Sequence, residues 1–527
     1  MDMLQAWRDY PRGRRLPSKL RSSSCCKACV LPCLCCLLPC ITALCFLQAA
    51  TDSTGYVQEQ LSRMGYLNFA DLIREKVLPK LTDEEDAGEH EARPDMQCEG
   101  RYVFMYDVPA QFNEELAKEC IVVGRGRCRE SWGCIYCGGV ENGGRGLRVP
   151  NLTEAEDSTI VSQNGFNYNY SVKLRPAEAW YRTHQFSLEV LFHAKMKKYA
   201  CLTTDMARAD AFYLPYYAGL DGALSMRCNV LEVRDRRVNL LLEWLRGQET
   251  WQHTRGHKHF MALGRQPVDL NRTIAARTWG LAVTSQPELA NLTFLWKGKA
   301  FSPSTHEIGI PYPTSFHPSS DAHLKIWQET IKGAKREWLV SFLGSARRRF
   351  RHASQLRFRQ ELQKQCEQHN DKCRFKDCTL QYTRLQIPCE SEPEIVTLEF
   401  SNAVFCLQPE GDTPTRKSFF DSLVAGCIPV VFSNETAHLQ YDAYLPSDPN
   451  LYSIFLDMDN ISLAKTNFVQ ALANISSDRV KAMQGYIREH ILPHVIYWSP
   501  FSSLSSSPHD AFDTALHQLF STFAASA

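Results

Sequence analysis

One stretch, Asn402 to Phe432, constrains the fold of this chain more than any other. Ala403 to Leu407 is a short apolar run of the kind that forms a buried strand. A polar turn holding Pro409, Gly411, Asp412 and Pro414 follows. A helical stretch then runs from about Thr415 to Ala425, is closed by Gly426, and gives way to a second apolar run, Ile428 to Phe432. Two strands joined by a helix make a βαβ unit, which commits the region to a parallel sheet covered by helices. Such sheets bind ligands at the carboxyl ends of their strands, where helix N-termini favour anions. Arg416 and Lys417 fall in the first turn of this helix, where an unliganded helix favours acids. An anion bound there makes the two cations favourable; the plainer reading is a solvated basic turn.

With 527 residues the chain is long enough for two or three domains. Its 59 basic and 58 acidic residues leave a formal charge of +1, which argues against nucleic acid as the main partner. Ala28 to Ala50 gives 23 residues without a charge, enough to cross about 30 Å of hydrocarbon. Arg8, Arg12, Arg14, Arg15, Lys19, Arg21 and Lys27 precede it, which keeps the N-terminus cytosolic and sends the rest to a lumen or the outside. The reading is a single-pass type II anchor at 28–50, with a cytosolic tail at 1–27 and a charged stem at 51–96. Gln48-Ala49-Ala50 leaves a cleaved signal peptide as the alternative.

Eight of the 21 cysteines sit in or beside that segment. The other thirteen, Cys98 to Cys427, read in a lumenal domain as several disulfides with at least one unpaired thiol. Cys134-x-x-Cys137 has no second pair at ligand spacing and reads as a disulfide-pinned loop, not a metal site. Cys366, Cys373, Cys378 and Cys389 fall in a hydrophilic loop and suggest two further bridges. N-glycosylation sequons at Asn151, Asn169, Asn271, Asn291, Asn434, Asn460 and Asn474 agree with a secretory address.

Strand and helix patterns alternate along the rest of the chain and divide it into two α/β units, 97–325 and 326–527. Strands are expected at 101–106, at 210–217 running into an aromatic loop that ends at Asp221, at 257–265, around Val283 and Leu295, and at 308–313. In the second unit, Trp338 to Gly344 reads as a buried strand ending in glycine. Arg347, Arg348, Arg349 and Arg351 follow, then a helix from about Ser354 that carries Arg359. A strand, a glycine and a basic stretch before a helix make a weak phosphate cradle, though not a P-loop.

The chain resembles the plant exostosin-family glycosyltransferases of family 47, in the xyloglucan galactosyltransferase or KATAMARI-like branch. The resemblance is carried in order by RYVFMYDVPAQFN from Arg101, AFYLPYYAGLD from Ala211, HFMALGR from His259, IPYPTSFHP from Ile310, and the 402–432 stretch. It implies a GT-B-type α/β fold, with two Rossmann-like domains facing a cleft behind the N-terminal single-pass anchor. It implies an inverting, Golgi-resident enzyme that moves a sugar, galactose in this branch, from a UDP-sugar to a cell-wall polysaccharide such as xyloglucan. No cofactor or metal is expected, and complexes with other cell-wall glycosyltransferases are. By position, Asp421 would accept from the ribose hydroxyls, while Arg359, Arg416 and Lys417 would neutralise the diphosphate, with Gly344 and Ser418 beside them on the donor side. Glu410 adds a negative charge where the family pattern has an uncharged residue.

Inversion by direct displacement requires a base for the acceptor hydroxyl, and Asp221 and His259 are the best placed by sequence. Tyr216, Tyr217 and Arg265 are expected on the acceptor side. The plainer readings are a capping aspartate and a satisfied buried histidine. Asp457-Met458-Asp459 leaves open a metal-dependent GT-A enzyme, and a non-catalytic lumenal glycan-binding protein is the alternative from another class.

Overall fold

The computed structural model describes residues 98, 100–119, 140–149, 172–225, 230–272, 279–300, 306–344, 353–377, 393–499 and 510–525. The chain divides after His90, and every described residue lies in the second unit, Glu91–Ala527. The expected anchor and stem, Asn151, Asn169, the Cys134–Cys137 loop and the arginines at 347–351 lie outside the described residues.

Two parallel sheets form the frame. The first is built from β1 (Val103–Met105), β2 (Leu202–Thr203), β3 (Ala211–Tyr213), β4 (His259–Leu263), β5 (Thr293–Trp296) and β6 (His306–Gly309), in the order β2-β1-β3-β4-β5-β6. The second holds β7 (Trp338–Gly344), β8 (Cys373–Asp377), β9 (Ala403–Gln408), β10 (Ile428–Val431) and β11 (Ile454–Phe455), in the order β8-β7-β9-β10-β11. Every ladder between these strands is parallel. Each sheet therefore reverses direction once, between its first and third strands, and ligands of doubly wound sheets bind beside that reversal at the carboxyl ends. In the second sheet it falls between β7 and β9.

The helices that matter here are α1 (Leu188–Met196), α2 (Ala218–Ser225), α3 (Arg236–Arg246), α4 (Asp321–Lys332), α5 (Ala353–Gln368), α6 (Pro393–Ser401), α7 (Lys417–Val424), α8 (Ser477–Tyr486) and α9 (Ala511–Ala525). Ser320 caps α4 by accepting from the His323 amide. Gly426 follows α7 with φ +63°, a conformation that would strain a side chain.

The two halves share a core. Trp180 and Phe316 lie 4.9 Å apart, Trp180 meets Trp327 of α4 at 4.7 Å, and Trp327 Nε1 donates to Val424 O at the end of α7. The chain also returns to its first half at the end. Tyr497 Oη donates to Pro311 O, Lys195 pairs with Asp510 at 2.6 Å, and Phe512 of α9 packs 4.8 Å from Phe192 of α1. The last helix therefore packs on the half that an even split at 325 would exclude.

Three further expectations change. Val283 lies in a bend and not a strand. The hydrophilic stretch after Cys366 includes the edge strand β8. The segment 215–221 turns into α2 at Ala218. Disulfides join Cys98 to Cys201, Cys366 to Cys373 and Cys406 to Cys427; the other cysteines of this unit lie outside the described residues. Asn434, Asn460 and Asn474 are exposed, while Asn271 and Asn291 are half-buried and the Asn291 amide donates to Arg255 O.

Candidate active site

At the reversal point of the second sheet, β9 ends at Gln408 and the chain turns through Pro409, Glu410 and Gly411. Arg359 reaches this turn from α5 with only 1% of its surface exposed. Its guanidinium donates to Pro409 O at 3.0 Å and to Glu410 O at 2.8 and 3.1 Å. Gly344, closing β7, makes room for it: a Cβ there would stand 2.7 Å from the Phe342 ring and 3.4 Å from Arg359 NH1. Arg416 approaches from the other side, and a Cβ on Gly411 would overlap its NH1. Two guanidinia thus flank one turn. Burial first, and then the Arg416 charge, hold Arg359 well below the usual guanidinium range, with Asp412 opposing the shift.

Arg416 is the N-cap of α7, with an extended backbone, so the helix begins two residues later than expected, at Lys417. Ser418 Oγ donates to Gln408 Oε1 at 2.6 Å. Gln408 is fully buried, and its Nε2 has no hydrogen-bond partner among the described residues. Lys417 and Asp421, both buried, form an ion pair.

The carboxyl ends of the first sheet meet this turn. Thr415 Oγ1 lies 3.0 Å from Tyr312 Oη, which also accepts from Gln266 Nε2 at 2.7 Å. Only a glycine fits at 298, since a Cβ would come within 2.6 Å of Thr415 Oγ1. Lys297, with no exposed surface, donates to Gln185 O and stands 3.7 Å from the Phe186 ring centre. The Arg265 guanidinium lies 4.8 Å from the same ring and donates to Gly219 O and Asp269. Glu189 of α1 accepts from Gly219 N at 2.7 Å and Gly264 N at 2.9 Å, which ties the start of α2 to the end of β4. Burial pushes its carboxyl up to about 7. His184 is kept neutral by burial and by the charges of Lys297, Arg265 and Lys417, its pKa lowered to about 3.

Gly344, Arg359, Arg416, Lys417, Ser418 and Asp421 are therefore brought together, and Arg265 faces them from the first sheet. Four other candidates are not. Asp221 lies inside α2 at 1% exposure, with Oδ2 accepting from Tyr216 Oη at 2.6 Å and Oδ1 from Arg237 at 3.2 Å. Tyr216 is consumed by that bond, and Tyr217 Oη is bound to His193 Nδ1 at 2.8 Å; both rings are buried. His259 begins β4, at the amino end of that strand. It stacks on Phe212 and Tyr106, and its Nε2 lies 2.8 Å from Tyr106 Oη. Burial lowers its pKa to about 4. All four are buried and hydrogen-bonded within the first half, away from the Pro409–Gly411 turn. Asp457 caps a short helix by accepting from Asn460 N at 2.7 Å. Gln408, Thr415, Lys297, Tyr312, Glu189 and His184 escape a sequence reading. Only Gln408 leaves a signal there, as a polar residue ending an apolar strand before a Pro/Gly turn.

The Exostosin GT47 domain model matches residues 97–471. Two Arabidopsis thaliana proteins named probable xyloglucan galactosyltransferases, GT13 and GT15, are 34% and 35% identical to this chain over 80% and 81% of its length, and each match spans 83% of the relative. The Arabidopsis xyloglucan-specific galacturonosyltransferase 1 is 31% identical over 81% of this chain and 58% of its own length.

Proposed function

This chain belongs to the exostosin GT47 family of glycosyltransferases, and we propose that it transfers galactose from a UDP-sugar to side chains of xyloglucan or a related cell-wall polysaccharide, with inversion at the transferred carbon. The observation that carries this reading is the pair of guanidinia flanking the Pro409–Gly411 turn at the reversal point of a parallel sheet. Two doubly wound sheets with their carboxyl ends in contact support a GT-B-type architecture, with the nucleotide on the second sheet.

In this reading the acceptor hydroxyl oxygen bonds to the anomeric carbon as the bond to the UDP oxygen breaks, and the acceptor proton passes to a base on the face opposite the diphosphate. Charge grows on the departing diphosphate. Arg416 and the N-terminus of α7 stabilise it there, and Arg359 holds the turn that aims them. Fixed cations take the part a divalent metal plays elsewhere, so we expect no metal requirement. The N-terminal apolar segment and the sequons support a single-pass type II protein of the Golgi membrane, working on polysaccharide in the lumen beside other cell-wall glycosyltransferases.

A galacturonosyl donor is the second reading. Arg265 and Lys297, stacked on one ring, would suit a sugar carboxylate.

Full-length enzyme should be assayed with UDP-galactose, UDP-galacturonic acid and UDP-arabinose on galactose-free xyloglucan oligosaccharides. The expected result is a β-linked galactosyl product at a rate that EDTA leaves unchanged. Turnover only with another donor would replace galactose, and loss of activity in EDTA with recovery in Mn²⁺ would overturn the metal-free mechanism.

A further inference from the structure

Trp279 is 41% exposed, whereas the other seven described tryptophans are buried or half-buried. A single exposed apolar side chain needs no explanation by itself; Trp279 stands apart because it is held still. Its Nε1 donates to Asp269 Oδ1 at 2.8 Å. The backbone behind the ring is fixed too. Leu281 N donates to Asp269 O at 2.8 Å, and Arg272 N to Leu281 O at 3.1 Å. Gly280 adopts φ +80° and lies so close to the short helix Pro267–Leu270 that a Cβ would stand 2.8 Å from Asp269 O. The position of the ring matters as much. Asp269 Oδ2 accepts from Arg265 NH1 at 3.3 Å, and Arg265, just past the carboxyl end of β4, shares the Phe186 ring with Lys297. Lys297 lies 4.6 Å from the centre of the Tyr312 ring, whose hydroxyl meets Thr415, the residue before Arg416. An unbroken row of contacts therefore leads from Arg416, across the carboxyl ends of the first sheet, to a fixed and exposed indole.

We propose that Trp279 is a stacking platform for a sugar ring of the polysaccharide acceptor, at a subsite remote from the reacting hydroxyl. A pyranose in a glucan chain presents a face of C–H groups, and the negative face of an indole attracts it. A ring already fixed by a hydrogen bond and a tight backbone gives up little freedom when the sugar arrives. A ligand that reaches from the Arg416 turn to this ring has to be a chain and not a single sugar, so the platform acts on acceptor length. The inference rests on the reading of the acceptor as a polysaccharide and deepens it, by giving one part of that chain a place on the protein.

Xyloglucan oligosaccharides of increasing length should be titrated by calorimetry into full-length wild type, Trp279→Ala and Trp279→Phe, with UDP titrated into the same samples. Trp279→Ala is expected to weaken the longer oligosaccharides by about tenfold and to remove their advantage over the shortest. Trp279→Phe keeps a ring face without the Nε1 donor and should retain most of the affinity. Long oligosaccharides should also shield an indole of the wild type from acrylamide quenching, and this protection should be absent in Trp279→Phe. Equal affinities in wild type and Trp279→Ala overturn the proposal. So does a loss that is the same for every length or is matched by a loss of UDP affinity, since either marks a structural role. If Trp279→Ala does not fold, the quenching comparison decides: equal protection in wild type and Trp279→Phe, or none in wild type, overturns the proposal. Wild type that binds UDP but no oligosaccharide overturns this inference alone, and wild type that binds the oligosaccharides but not UDP overturns the donor reading alone.

Discussion

Arg416 and Gly411 are matched by shape, because the guanidinium occupies the space a side chain at 411 would need. In the proposed donor site, Arg416→Ala would remove charge-assisted hydrogen bonds to the diphosphate and should lower UDP affinity by about tenfold to a hundredfold. Gly411→Ala displaces the same guanidinium without deleting it. Its UDP affinity should fall in the same direction by less, with little change in Tm, as read by calorimetry and thermal unfolding. A second residue-scale consequence comes from the buried histidines. Burial is the largest influence on His184, His193, His259 and His317, lowering them to about 3, 4, 4 and 3. Each folded pKa lies below the unfolded value of about 6.5, so the stability these neutral rings contribute is present above that pH and is lost as the pH falls toward 4. Each ring contributes about 1.4 kcal/mol per pH unit to that slope. Glu189, raised to about 7, contributes the opposite slope between about 4.5 and 7. Urea unfolding at pH 5 and pH 7 should therefore show the enzyme less stable at pH 5, and His317→Gln should reduce the difference by about one proton's worth.

At the scale of elements, the βαβ unit is also a covalent loop. Cys406 in β9 and Cys427 before β10 are bonded at a separation of 21 residues, so the bridge encloses the Pro409–Gly411 turn and all of α7. Cys406→Ser with Cys427→Ser should cost about 3 kcal/mol in urea unfolding, by the entropy of a loop this long. The unit was legible in the sequence because its strands are apolar runs and its breaks are Pro and Gly. β8 was not, because CRFKD at the sheet edge carries more polar than apolar residues, and the two-residue β2 leaves no period to detect. The site divides on the same line. Arg416, Lys417 and Asp421 follow one another on a single helix and could be read together. Lys297, Tyr312 and Glu189 come from a strand end, a linker and a helix of the first half, and nothing local marks them. The setting of His259 was not legible for the reverse reason: the Tyr106 hydroxyl beside it is 153 residues away. That of Asp221 was not legible because Arg237, which donates to it, comes from another helix.

For the whole molecule, the two sheets repeat one winding, and the chain's end ties them together. Phe512, in the last helix, lies against Phe192 and Tyr199 of the first half, and the buried Lys195–Asp510 pair stands next to it. Phe512→Ala should cost about 3–5 kcal/mol. The loss should appear as faster hydrogen exchange in Leu188–Met196, more than 300 residues earlier in the chain. This closing contact also sets an order on biosynthesis. A ribosome delivers α1 long before it delivers Phe512, so the face of α1 that receives this ring lacks that cover until residue 512 has been made. The first half therefore emerges without this contact. A chain stopped short of residue 510 would leave that apolar face of α1 without the Phe512 ring and without the Lys195–Asp510 pair.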